Sequence, residues 1–127
     1  MTHEKAKNGK NVLIVAKKDS PFRDFVNRFV KEKCTIEFVE KNVEVAMKIK
    51  GEKKYAVIVF GYPSRGFQDY PLIKEIRELS PLTKIIITSA KEEQRSHVIK
   101  EKYCDDAIPR LDLPHKIDEL LIASSRN

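Results

Sequence analysis

The feature that most constrains this fold is a regular alternation of short apolar runs with amphipathic segments. The runs cover residues 11–16, 35–40, 55–60, 84–89 and 107–109. The first run, NVLIVA, is continuously apolar, as expected for a strand buried on both faces of a parallel sheet. The last run ends in a proline, which suits a strand at the sheet edge. We therefore predict five strands, each followed by a helix.

Apolar residues at helical spacing mark the five intervening segments, so each predicted helix should bury one face. Ser20-Pro21 has the form of an N-cap followed by proline at the first helical position, and Ser80-Pro81 should end the third helix. Asn42 is a candidate cap for the short second helix, which Gly51 would close. The fourth helix should span residues 92–102 and the fifth residues 113–123. The predicted inward residues, helix by helix, are Phe22, Phe25, Val26, Phe29 and Val30; Val43, Ala46 and Ile49; Leu72, Ile73, Ile76 and Leu79; Val98 and Ile99; and Ile117, Leu120 and Leu121.

Strands that alternate with helices predict an α/β fold with right-handed crossovers. We expect a flavodoxin-like, doubly wound, five-stranded parallel sheet in the order 2-1-3-4-5, with helices on both faces. In that order ligands bind beyond the carboxyl ends of strands one and three. A chain of 127 residues fits one domain. We place that domain at residues 11–124, after a flexible basic tail at residues 1–10.

Two cysteines, Cys34 and Cys104, are expected near opposite edge strands, too far apart for a disulfide. This cysteine usage favours a reducing cytoplasm. Neither cysteine has a neighbour at metal-ligand spacing, and the three histidines are scattered. No apolar run approaches the ~20 residues that span a membrane, and the first ten residues lack the apolar region of a secretory signal. We expect no metal, no cofactor and no membrane association.

Positive charge is concentrated in the first part of the chain. Residues 1–54 hold 14 Lys and Arg against 8 Asp and Glu, whereas residues 55–127 hold 11 of each. A basic half can indicate an anionic partner such as nucleic acid or an acidic protein surface, and it can also be a solvated face. No helix-turn-helix or RNA-binding motif is present, and no interleaved aromatics accompany the basic residues. Nucleic-acid binding is therefore a secondary hypothesis.

Catalytic signatures are absent from the sequence. There is no GxGxxG, no Gly-rich GKS or GKT loop, no nucleophile elbow and no recognisable carboxylate pair. The predicted fold hosts many enzymes, so fold alone excludes none. We expect that the protein is not an enzyme and has no catalytic residues.

Four strings give the chain a resemblance to a known family: YAVIVFGYPSRG (55–66), GFQDYPLIKEIRE (66–78), PLTKIIITSA (81–90) and CDDAIPRLDL (104–113). In order and spacing they resemble response-regulator receiver domains over residues 11–122. In that family strand three ends in a phosphate-accepting aspartate, and Pro-Gly follows four and five residues later. Here Arg65-Gly66 falls at the Pro-Gly pair, and Gly61 takes the place of the aspartate.

The resemblance implies a receiver fold without receiver chemistry. The acidic pair that holds magnesium in the family matches Ala16-Lys17, or Lys17-Lys18 with the register shifted by one, and Asp19 is the only carboxylate expected nearby. The family's loop lysine matches Arg110, although Leu111 replaces the proline that follows it. The family's switch residues are a hydroxyl, kept as Ser89, and an aromatic, replaced by Ala107. The degenerate positions are therefore Ala16, Lys17, Lys18, Gly61, Ser89, Ala107 and Arg110.

Some of these residues also have plain structural explanations. Gly61 could supply an unusual backbone angle. Ser89 could satisfy backbone groups at a strand end. Lys17 and Lys18 could be solvated loop charges.

The leading hypothesis is a phosphorylation-independent, cytoplasmic signalling module of a two-component pathway that binds another protein. Family members commonly signal through the face of the fourth helix, fifth strand and fifth helix, which here includes Arg95, Lys102 and His115. The alternative is a module that binds nucleic acid or an anion through the basic N-terminal half. The cations Lys17, Lys18 and Arg110 are the candidate anion ligands, since helix N-termini beside them also favour anions. A receiver phosphorylated at another residue is a further alternative.

Overall fold

The computed structural model describes residues 10–30, 34–61 and 70–125. Each of the five strands lies within two residues of its predicted bounds. The third strand is shifted toward the C-terminus, which places Gly61 inside the sheet rather than in the loop after it. The strands are β1 (Asn11–Val15), β2 (Thr35–Val39), β3 (Val57–Gly61), β4 (Lys84–Thr88) and β5 (Asp106–Ile108).

Five α-helices and a short 3₁₀ turn connect and follow these strands. The fourth helix is two residues shorter than predicted, because Lys102 adopts a left-handed φ of 62° that a helix cannot continue through. The 3₁₀ turn, Arg110–Asp112, leads directly into the last helix. The helices are α1 (Pro21–Val30), α2 (Asn42–Ile49), α3 (Tyr70–Leu79), α4 (Glu92–Lys100) and α5 (Leu113–Ser125).

The sheet is parallel throughout, in the order β2-β1-β3-β4-β5, so the predicted fold class is confirmed. Because the strands are parallel, their carboxyl ends share one edge of the sheet. The register pairs Gly61 with Thr88 at that edge.

Two core clusters cover the two faces of the sheet. One contains Val57, Val59 and Ile86 with apolar side chains of α1 and α5, and the other contains Ile58 and Phe60 with side chains of α2, α3 and α4. Consecutive residues of β3 belong to different clusters because successive strand residues point to opposite faces of the sheet. The central strands therefore need apolar residues at every position, as the sequence has them.

The two cysteines are free and buried beside opposite edge strands, as expected. Cys34 directly precedes β2, and Cys104 lies two residues before β5. Burial raises the pKa of the Cys34 thiol to about 11 and that of the Cys104 thiol to about 12, with nearby carboxylates adding to both effects. Both thiols are therefore protonated and unreactive at neutral pH.

Several predicted inward positions are wrong. Phe29 is 54% exposed, Leu79 48% and Ile99 46%, because each lies at the rim of its helix's apolar face. In α2 the prediction is wrong at Val43 and omits Val45, whereas the predicted Ile49 does pack against the core. Val43 is 65% exposed, whereas Val45 is fully buried against the sheet.

The cap of α2 also differs from the prediction. Lys41 is the N-cap residue, and Asn42 is the first residue of the helix. Glu44 Oε1 accepts hydrogen bonds from the backbone N–H groups of Lys41 and Glu40, at 2.9 and 3.1 Å. The carboxylate of Glu44 thus stabilises this helix start in place of an asparagine side chain.

The predicted tail at residues 1–10 lies outside the described residues apart from Lys10, as do Tyr62 to Gly66 of the loop after β3. Among the helices that the structure describes, none is long and apolar enough to cross a membrane.

Candidate functional site

A cleft of about 780 Å³ opens at the carboxyl edge of the sheet. Parallel α/β sheets bind ligands at this edge because loops from neighbouring strands meet there. The cleft walls come from the loop after β1, the ends of β2, β3 and β4, and the 3₁₀ turn. The structure therefore brings Ala16, Lys17, Lys18, Gly61 and Arg110 together, as the resemblance implied.

Gly61 and Arg110 face each other across the cleft. A Cβ atom built on Gly61 would lie 4.0 Å from Nη2 of Arg110, an ordinary contact distance. The φ of Gly61 lies outside the left-handed region, so that backbone angle does not require a glycine here. Among the described residues, position 61 thus has room for a Cβ atom, and that atom would face a guanidinium group.

Arg110 packs its guanidinium group on an aromatic ring, which limits its freedom. Its Cζ lies 5.1 Å from the centroid of the Phe22 ring, within the range of a cation–π contact. Phe22 is buried at the start of α1. Its backbone N–H donates to Ser20 Oγ at 3.1 Å, which confirms Ser20 as the cap.

Arg23 fixes the loop after β1, a role that the sequence analysis missed. Its Nε and Nη2 both donate to the carbonyl oxygen of Ala16, at 3.1 and 2.7 Å. Its Cζ also lies 4.8 Å from the centroid of the Phe38 ring on β2. A charged residue one turn into a helix gives no sign of this role, because the target is a backbone carbonyl seven residues earlier.

Two carboxylates line the cleft, whereas the sequence analysis expected only Asp19. The second is Glu40, which follows β2 and therefore ends beside β1. Glu40 Oε2 accepts a hydrogen bond of 3.0 Å from the backbone N–H of Lys18. Among the described lining residues, three cations, Lys17, Lys18 and Arg110, thus face two carboxylates, which leaves one excess positive charge.

The Ser89 hydroxyl is directed at α4 rather than at the main cleft. It bonds to Gln94 Oε1 and accepts from the Lys91 N–H at 3.1 Å. Ser89 lines a smaller neighbouring hollow, of about 440 Å³, that shares Thr88 and Arg110 with the cleft. The structural explanation for Ser89, a satisfied hydroxyl at a strand end, is therefore supported.

Besides the capping Ser20, Thr88 lines the cleft with a hydroxyl group, and the sequence analysis did not select it. It is 2% exposed, and its Oγ1 has no hydrogen-bond partner among the described residues. Such an orphaned buried group costs about 1–3 kcal/mol. Strand register could have identified Thr88, since it pairs with Gly61 and shares its face of the sheet.

Ala107 lies on β5, away from the cleft. It is 8% exposed and belongs to the core cluster on the α2, α3 and α4 face. Its methyl group fills a small position in that core, and it carries no ring that could swing between two positions.

The cleft residues do not fit the magnesium ion that the family resemblance implies. Magnesium prefers oxygen ligands, and the matching positions hold Ala16, Lys17 and Gly61. Of the two carboxylates present, Asp19 is exposed and Glu40 is bonded to the Lys18 N–H. In the described part of the chain, no group of three or more His, Cys, Asp or Glu residues could hold a metal ion.

No family model matches the sequence, and no curated protein matches it. The fold, in contrast, is that of solved receiver domains. The receiver domain of the Francisella response regulator 1452 is 18% identical with a TM-score of 0.69, over 91% of this chain and 98% of that domain. Thermotoga maritima response regulator TrrA, solved in complex with Mg²⁺-BeF, is 20% identical with a TM-score of 0.67, over 87% of this chain and 98% of TrrA.

A CheY-like receiver domain protein from Methanospirillum hungatei JF-1 is 22% identical with a TM-score of 0.67, over 93% of this chain and 98% of that protein. At these identities the likeness shows the fold alone. This chain is therefore similar in fold to response-regulator receiver domains.

Proposed function

We propose that this chain is a receiver-like signalling module of a two-component-type pathway that acts by binding another protein, independently of phosphorylation. In this proposal it is a cytoplasmic, non-enzymatic domain. The fold similarity to response-regulator receivers supports the signalling role. The buried, protonated thiols of Cys34 and Cys104 are consistent with a reducing compartment.

The main support for phosphorylation independence is that residue 61 is a glycine and that a guanidinium group, that of Arg110, faces it. Gly61 sits at the end of β3 with a guanidinium nitrogen 4.0 Å from the position of its absent Cβ. Phosphoryl transfer to a carboxylate needs that carboxylate and a metal ion beside it. Neither requirement is met by the side chains at positions 16, 17 and 61.

Incubation with acetyl phosphate and magnesium tests this proposal. We expect mass spectrometry to find no acid-labile or hydroxylamine-sensitive phosphoryl group on the wild-type chain. A stoichiometric acyl phosphate on Asp19, or on any other carboxylate, would contradict the proposal. The variant A16D/K17D/G61D is the matched comparison, because it returns the family's three carboxylates to the same cleft. If this variant is phosphorylated and the wild type is not, the side chains at these three positions account for the lack of phosphorylation.

The surface formed by α4, β5 and α5 is our candidate for protein binding. Lys102 and His115 are exposed there, and Leu111, in the turn that follows β5, is 77% exposed. Arg95 is only half exposed and donates from Nη1 to the Ser89 carbonyl at 2.9 Å, so part of its role is structural. Leu111 lines one hollow with the cations Lys91 and Arg110. An exposed apolar side chain beside cations suits an amphipathic partner surface with acidic residues.

Substitution with glutamate at two positions of this surface tests whether the partner binds there. The wild-type chain and the variants L111E and K102E would be compared as baits in a cell extract from the native host. R28E is the control, because Arg28 is exposed on α1 and belongs to no part of this surface. We expect one partner protein to be retained by wild type and R28E and lost by both surface variants. Equal retention by all four baits would show that the partner uses another surface.

A further inference from the structure

We propose that the cleft binds a small oxyanion, a carboxylate or a phosphate group, in the space where a side chain of residue 61 would lie. Arg110 and Thr88 are the proposed donors. The inference goes beyond the proposed function and is carried by the geometry of the cleft.

The space for the anion is defined by the sheet register. Gly61 and Thr88 are paired across β3 and β4, so the missing side chain of one would point to the same face as the side chain of the other. Of the described residues not adjacent in sequence, only Arg110 comes within 4 Å of the Cβ position of Gly61, at 4.0 Å. Among the described residues, the Cβ position of Gly61 is therefore open, opposite Arg110 and on the face of the sheet that carries the Thr88 side chain.

Both donors are suited to an oxyanion. The guanidinium of Arg110 is held over the Phe22 ring, with Nη2 facing the Cβ position of Gly61. Thr88 is 2% exposed, and its buried hydroxyl has no partner among the described residues, so an incoming acceptor would satisfy that hydroxyl. Carboxylate and phosphate oxygens accept from charged N–H and neutral O–H donors at once.

The charges of the cleft favour an anion over a cation. Lys17 and Lys18 add to Arg110, while Asp19 and Glu40 oppose them, and Glu40 is already bonded to the Lys18 N–H. The balance of one positive charge matches a small anion. It does not match the continuous basic track that a nucleic-acid strand requires.

Amide NMR titrations of the full chain test the proposal, with sodium phosphate and sodium acetate as separate probes and sodium chloride at matched ionic strength as the control. We expect saturable shifts at Gly61, Thr88 and Arg110 with phosphate or acetate and not with chloride. The tighter probe identifies the source of the oxyanion as a phosphate or a carboxylate compound. Identical, non-saturating responses to all three salts would overturn the proposal.

Three variants separate the proposed site from general charge attraction. R110Q should weaken binding about tenfold or more, and T88V by about fivefold, from the usual strengths of a charge-assisted and a neutral hydrogen bond. R28Q removes an equal charge on α1 and should leave affinity unchanged. If R28Q and R110Q weaken binding equally, the anion is a diffuse counterion and the proposal fails.

The pair G61D and G61N supplies a second measurement. The Asp side chain places a tethered carboxylate in the space proposed for the anion, so G61D should no longer respond to phosphate or acetate. G61D should also melt at a higher temperature than G61N, and the difference should disappear when R110Q is added to both. A G61D variant that still binds the anion with wild-type affinity would show that the anion lies elsewhere.

Discussion

Gly61 and Arg110 face each other across the cleft at the carboxyl edge of the sheet. The φ angle of residue 61 is not left-handed, so the backbone of β3 does not require a glycine there. The guanidinium group of Arg110 packs on the Phe22 ring. Lys17 and Lys18 extend the positive charge where magnesium would need carboxylates. At the residue scale these charges support the anion that we propose, and the cleft lacks the set of oxygen ligands that magnesium prefers.

We predict that magnesium will not bind at this cleft. Titration with magnesium should cause no localised amide shifts around residues 16–19 and 61, because Asp19 and Glu40 alone cannot replace the family's ligands. The variant A16D/K17D/G61D should gain such shifts. Sub-millimolar magnesium binding by the wild type would show that the cleft keeps a metal site.

A second prediction concerns Glu37, a half-buried carboxylate on β2. It accepts hydrogen bonds from Lys53 Nζ at 2.9 Å, Tyr55 Oη at 2.8 Å and Lys48 Nζ at 3.1 Å. Burial alone would raise the pKa of Glu37, but these three donors outweigh it and lower the pKa to about 2. At pH 7 the E37Q variant should lose about 2 kcal/mol of unfolding free energy, from hydrogen bonds to a charged group.

The pH dependence of that loss has a definite sign. Because the folded pKa of Glu37 is lowered, its contribution is complete above its ordinary value of 4.5 and is lost as the pH falls toward 2. Urea unfolding at pH 7 and pH 3 should therefore show the gap between wild type and E37Q narrowing in acid. E52Q, at an exposed glutamate, is the control and should show little effect. A gap that stays constant with pH would mean that charge is not the cause.

At the scale of elements, helix α2 shows what determines which face of a short helix is buried. Its eight residues carry apolar side chains on both sides, so periodicity alone allowed two orientations. The structure buries Val45 completely and leaves Val43 65% exposed. Val45 packs in one core cluster with Leu13 and Val39 of the sheet, and this packing determines which face of α2 is buried.

The pair V45A and V43A tests this orientation. V45A should reduce the unfolding free energy by about 2 kcal/mol, the transfer and cavity cost of two buried methyl groups. V43A should leave stability unchanged or slightly raised, because alanine favours helix and little burial is lost. Chemical denaturation of both variants measures the difference. Equal losses would mean that α2 is rotated from the position described.

At the scale of the whole molecule, the resemblance assigns a two-state switch to the positions of Ser89 and Ala107. Ala107 carries no aromatic ring, and the Ser89 hydroxyl is bonded to Gln94 and the Lys91 N–H. We therefore predict one dominant conformation rather than two in exchange. Relaxation dispersion measurements should find no widespread exchange in α4 and β5. Coherent exchange through both elements would contradict this prediction.

Local patterns in the sequence were sufficient for the elements and for the sheet order. Apolar runs and helical spacing depend on residues close together in the chain, and crossover handedness then leaves few arrangements of five strands and five helices. The family resemblance also predicted that Gly61, Lys17 and Arg110 lie at one edge of the sheet. The positions of Glu40 and Thr88 in the cleft were not predicted, because they follow from which strands are neighbours and in what register.

Only the tertiary structure decided the details on which the site depends. Packing brings together the partners that decide three of these details. They are the hydrogen bonds of Arg23 to the Ala16 carbonyl, the side of α2 that is buried, and the presence of Thr88 rather than Ser89 in the cleft. Side-chain hydrogen bonds to backbone carbonyls leave no periodic trace in a sequence. The sequence therefore determined the architecture of this protein and the absence of a carboxylate at position 61, whereas packing and strand register determined which donors lie near Gly61.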